Sequence, residues 1–64
     1  MPKKSWLESL IDEEGDAVNE YMELSDMLKT MNKRKSAKLV KGIAEDEYRH
    51  KEILTLILKD LEKT

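Results

Sequence analysis

Cysteine is absent from this 64-residue chain. That excludes a disulfide staple and any metal site built on thiolates. Aromatic residues make up only 5% and charged residues 41%, a balance that suits long solvated helices better than a sheet core. No apolar run approaches the ~20 residues needed to span a bilayer. The opening Met1-Pro2-Lys3-Lys4-Ser5 leads into a charged amphipathic stretch, not a signal-type apolar segment. A soluble, cytoplasmic protein is the expectation. The net charge of −2 gives no general attraction to nucleic acid or to an anionic membrane. A chain this short forms one domain with a small core, so oligomerisation or a metal held by nitrogen and oxygen is the remaining means of support.

What the sequence does contain is helical periodicity. Met1–Lys4 read as a frayed start, and Ser5 followed by Glu8 has the form of a capping box. Helix 1, about residues 5–30, then carries Leu7, Leu10, Glu14, Ala17, Tyr21, Leu24, Leu28 and Met31 at steps of three and four. Ile11, Val18 and Met22 widen that stripe. A turn is expected at about residues 31–35, with Asn32 or Ser36 as a cap for the next helix. Its basic run, Lys33-Arg34-Lys35, is either a solvated turn or a dock for an anion or acidic partner. Helix 2, about residues 35–62, repeats the period with Val40, Ile43, Glu47, His50, Leu54, Ile57 and Leu61. Gly15 and Gly42 either permit a close approach or are incidental; each costs about 1 kcal/mol against alanine inside a helix. There is no internal repeat.

Charge favours pairing of the two helices, since residues 5–31 sum to −7 and residues 32–64 to +3. Two helices with broad apolar faces do not close a core. The fold expected is therefore all-α: an antiparallel helical hairpin that dimerises about a two-fold axis into a four-helix bundle.

Three residues break the apolar seams: Glu14 in the first, Glu47 and His50 in the second. An antiparallel hairpin turning near residue 31 brings them to one level, and a symmetric dimer would gather four carboxylates and two imidazoles in that layer. Unpaired carboxylates there are costly. Protonation, salt bridges or divalent ions could each neutralise them. The seams carry no cation other than His50, so two divalent ions fit the inventory best. Glu-x-x-His directs both side chains from one helical turn towards one point, and a Glu from each of two helices with Glu-x-x-His from each of the other two makes a di-iron or di-manganese centre. Carboxylate oxygen and imidazole suit iron or manganese, and zinc would also bind. An alternative from another class is a non-catalytic helical hairpin, a self-association or protein-interaction module in which the three residues set register.

Glu14 with Tyr21 seven residues later, Glu47 thirty-three residues after Glu14, and then His50 resemble the first helix pair of rubrerythrin-type ferritin-like proteins. The segment Glu45-Asp46-Glu47-x-x-His50 is also similar to the bacterioferritin motif and to designed di-iron bundles. The likeness covers about residues 5–61, nearly all of the chain. It implies that Glu14 is a terminal ligand, Glu47 a bridge between two ions and His50 a ligand through one ring nitrogen. It further implies that Asp46 orients a ligating histidine across the interface and that Tyr21 hydrogen-bonds a ligand carboxylate. The implied cofactor is iron, two ions per dimer. The implied activity is ferroxidase- or peroxidase-like oxidoreductase chemistry in a homodimer or higher homo-oligomer. Full-length members draw four helices from one chain, whereas this chain supplies two. It also lacks the cysteines of a rubredoxin-like module, so peroxide reduction would need a separate electron-transfer partner. A single dimer could not enclose a mineral core.

Overall fold

Helix is the outcome that the sequence favours locally, and two helices are what it forms. The computed structural model describes residues 3–63, with side-chain surroundings for residues 4–63. Helix α1 spans Lys3–Thr30 and helix α2 spans Arg34–Glu62. They pack antiparallel as a hairpin, and no strand occurs among the described residues. Among the described residues no helix is long and apolar enough to cross a membrane.

The α1 start differs from the capping-box reading. Lys3 and Lys4 are already helical, so Ser5 lies inside the helix; Met1 and Pro2 lie outside the described residues. At the open end of the hairpin, Lys4 Nζ lies 3.0 Å from a Glu62 carboxylate oxygen, and this partner holds the Lys4 pKa above its ordinary value.

The turn is shorter than the pattern suggests, and Asn32 has a different role. Its φ is +62°, a left-handed conformation that asparagine tolerates better than most residues. Asn32 N–H donates to the Lys29 carbonyl (3.0 Å) and Lys33 N–H to the Leu28 carbonyl (2.8 Å). This is the Schellman pair that satisfies the last carbonyls of a helix. Asn32 thus closes α1 and does not open α2. The residue before α2 is Lys33, which makes no side-chain capping bond.

The interhelical contact is narrow. Leu7 is the only large apolar side chain that is buried among the described residues, accompanied by Ser25, Ala37 and Ala44. Small side chains near the turn let the backbones approach, and Ser25 Oγ donates to the Ala37 carbonyl across the gap at 2.9 Å. Burying one leucine contributes only about 2 kcal/mol. Much of the expected seam instead faces outwards: Leu24, Ile43 and Ile57 are 40–45% exposed and Met31 61%. The seven-residue repeat marks the middle of each helix's whole apolar stripe. Only one edge of that stripe meets the other helix.

The hairpin measures 50 × 14 × 9 Å, with a radius of gyration of 14.9 Å. A compact domain of this length would have about 11 Å. Two helices side by side form a slab one helix thick, and one broad side of it is apolar.

Candidate metal centre

Near mid-length, the slab holds the three polar intruders together. Glu14 comes from α1, and Glu47 and His50 from adjacent turns of α2. One candidate ligand atom from each lies within 4.8 Å of the other two, and no other group of three or more acidic, histidine or cysteine side chains of this kind occurs among the described residues. His50 Nδ1 stands 3.3 Å from Glu47 Oε1 and 3.9 Å from Glu14 Oε1. The i, i+3 spacing of Glu47 and His50 produces the shorter contact; the antiparallel register of the hairpin produces the longer one.

Burial is uneven across the group. Both carboxylate side chains are 24% exposed, but the imidazole is 53% exposed. The site therefore opens where His50 stands, and the heptads place Ile43 and Ile57 of α2 on that same side.

Glu14 carries the orphaned atom of the group. Its Oε2 is buried and has no hydrogen-bond partner. Its pKa is raised above the ordinary 4.5, first by burial, then by hydrogen bonding to Glu47 and the negative charge of Glu47, against a smaller lowering by His50. Like charges in a partly dry site disfavour the second ionisation. A divalent cation would relieve both causes, because it takes up the unpartnered oxygen and offsets the paired negative charges. Among the described residues no lysine or arginine forms an ion pair with Glu14 or Glu47. Lys51 falls one position past the seam residue His50. It is half-buried, and its side chain lies across Gly15, 3.6–3.9 Å from where a Cβ would stand. Gly15 thus meets a flexible side chain at ordinary contact distance. Gly42 has nothing within 4 Å of its Cβ position, so it mediates no close approach within the hairpin.

The two outer candidates are placed differently. Asp46 is exposed and accepts a hydrogen bond from Arg49 Nη2 at 2.6 Å on its own helix. Tyr21 is half-buried in the α1 stripe, and its hydroxyl makes no hydrogen bond among the described residues.

Three donors on one carboxylate–imidazole cluster, with an orphaned oxygen among them, form a group able to hold a metal ion. Comparison with known proteins agrees with that chemistry. No curated protein and no solved structure matches the chain significantly. Residues 5–64 match the family model described as Rubrerythrin, a family in which iron binding is typical. With nearly its whole length matched, the chain belongs to the rubrerythrin family.

Proposed function

We propose that two hairpins associate through their apolar sides and that Glu14, Glu47 and His50 of each copy together hold two metal ions, iron foremost. The observation that carries this reading is the partnerless buried oxygen of Glu14, set beside a second carboxylate and an imidazole that is open on the same side. A second copy placed there would bury Ile43, His50 and Ile57 and double the donor set to four carboxylates and two imidazoles. Manganese and zinc suit the same donors.

In this reading Glu14 would serve as a terminal ligand, Glu47 as a carboxylate shared by the two ions and His50 as a ligand through a ring nitrogen. Nδ1 is the ring nitrogen that faces both carboxylates, 3.3 Å from Glu47 and 3.9 Å from Glu14, and so is the one placed to ligate. Asp46 is proposed to reach a histidine of the second copy once the two hairpins meet, and Tyr21 to donate to a ligand carboxylate. Iron held there would supply electrons for reduction of dioxygen or peroxide, the chemistry of a ferroxidase- or peroxidase-like oxidoreductase. The chain itself contributes a partly dry pocket and negative charge that favours the more highly charged state of the metal. Electrons for repeated turnover with peroxide would come from a separate donor protein.

The exposed apolar side also suits a non-catalytic association module, and one variant separates the two readings. Replacing Glu14, Glu47 and His50 together with leucine is expected to abolish iron binding and iron-dependent absorbance while the metal-free dimer becomes more stable, because apolar packing replaces buried charge. Unchanged iron uptake by that triple variant would overturn the metal reading. Loss of dimerisation with no effect of metal on the parent protein would favour the module.

A further inference from the structure

The turn end of the hairpin carries charge that the metal reading does not use. Lys29 of α1, Lys33 of the loop, and Arg34, Lys35, Lys38 and Lys41 of α2 are all exposed. Among the described residues none of the six forms an ion pair, whereas Lys4 pairs with Glu62 and Arg49 with Asp46. Lys29, Arg34, Lys38 and Lys41 line one open groove of about 510 Å³. Local energetics oppose this arrangement. The start of a helix already presents unpaired N–H groups and a partial positive charge, and it favours acidic residues. Helix α2 has no acidic residue in its first turn and no side-chain cap.

A matching acidic stripe lies on the same chain. Asp12, Asp16, Glu20 and Glu23 recur at steps of four, four and three, all exposed, on the side of α1 away from its buried stripe. Asp16, Glu20 and Glu23 share the four-then-three spacing of Arg34, Lys38 and Lys41. At 1.5 Å per residue each triplet spans about 10 Å of helix. None of these six side chains pairs with another inside the hairpin.

We propose that the basic groove at the turn of one copy docks on the acidic stripe of α1 in another copy. Equal spacing lets three cations meet three carboxylates on adjacent helices without any backbone change. The contact joins two different surfaces, so repetition gives a closed ring or an open chain of hairpins. It uses neither the apolar side nor Glu14, Glu47 and His50, and so it stands or falls separately from the metal reading. Exposed pairs are individually weak. The assembly therefore depends on several acting together and is sensitive to salt.

Sedimentation velocity of the full chain tests this. The expected result is a species larger than a dimer at about 50 mM salt, with an association constant at least tenfold lower at about 500 mM, where the screening length falls below about 5 Å. The charge-reversed set Arg34→Glu, Lys38→Glu, Lys41→Glu is expected to abolish the larger species, as is Asp16→Lys, Glu20→Lys, Glu23→Lys. Combining both sets is expected to restore it. Circular dichroism melting confirms that each variant folds, and iron content per chain should not change in any of them. A mass independent of salt, or a combined variant that fails to reassemble while still folded, overturns the proposal. So does a wild-type chain that stays dimeric yet binds poly-glutamate or a DNA oligonucleotide through the same cations, because a foreign polyanion is then the occupant.

Discussion

Glu14 shows most directly how one residue couples stability to protonation. Its folded-state pKa lies above the ordinary 4.5, so the fold favours the protonated acid. The stability this contributes is fully present below about 4.5 and is lost as pH rises through the raised value. Metal-free protein should therefore lose stability as pH increases from about 4.5, and Glu14→Gln should remove that part of the loss in pH-dependent thermal melts. If Glu14 ligates iron as proposed, metal would compete with the same proton, so iron affinity should fall as pH drops through the same range, and a titration with Fe(II) under anaerobic conditions reads this. The two glycines act in the backbone alone. Gly42 has open space around its Cβ position, and Gly42→Ala should stabilise the chain by about 1 kcal/mol in denaturant unfolding. Glu14, Glu47 and His50 were legible in the sequence because charge on an apolar heptad is conspicuous. Ser25 and Lys51 were not, because each lies one position beyond a seam residue, and a heptad does not say which edge of the stripe meets the neighbouring helix. Ser25→Ala should cost about 1 kcal/mol by removing the buried bond to the Ala37 carbonyl.

At the scale of elements, both helices follow from their periodicity, but the link between them follows from one dihedral angle. Asparagine is favoured both before a helix and just after one, so sequence alone offers Asn32, like Ser36, as a cap for α2. Its φ of +62° and the paired bonds from Asn32 and Lys33 to Lys29 and Leu28 assign it to the end of α1. Asn32→Gly should be near neutral or slightly stabilising, whereas Asn32→Val should cost at least about 1 kcal/mol, because a branched side chain resists positive φ. Equilibrium unfolding of Asn32→Gly beside Asn32→Ser distinguishes this closing role from a capping role for α2, in which serine would serve as well as asparagine and better than glycine. Helix α2 begins with uncapped N–H groups and a cationic first turn. Its stability rests on packing along its length, and the turn end should exchange amide hydrogens faster than the middle of either helix.

For the whole molecule, the decisive fact is that a slab 9 Å thick leaves its apolar seam half open. Hydrophobic residues at every seam position except three announced a bundle, yet a single copy supplies only half of one. The sequence cannot state the number of copies in such a bundle, because one apolar stripe serves both the partner helix and a second hairpin. A copy laid on the open side would cover Ile43, His50 and Ile57 and would place two carboxylate–imidazole clusters together. Native mass spectrometry of the protein after loading with Fe(II) measures copy number and metal content in one spectrum. A dimer, or an even-numbered assembly, carrying one iron per chain is predicted, with the iron lost in the Glu14→Leu variant. Iron-free chains, or monomers that retain iron without a partner, would contradict a centre built between two hairpins.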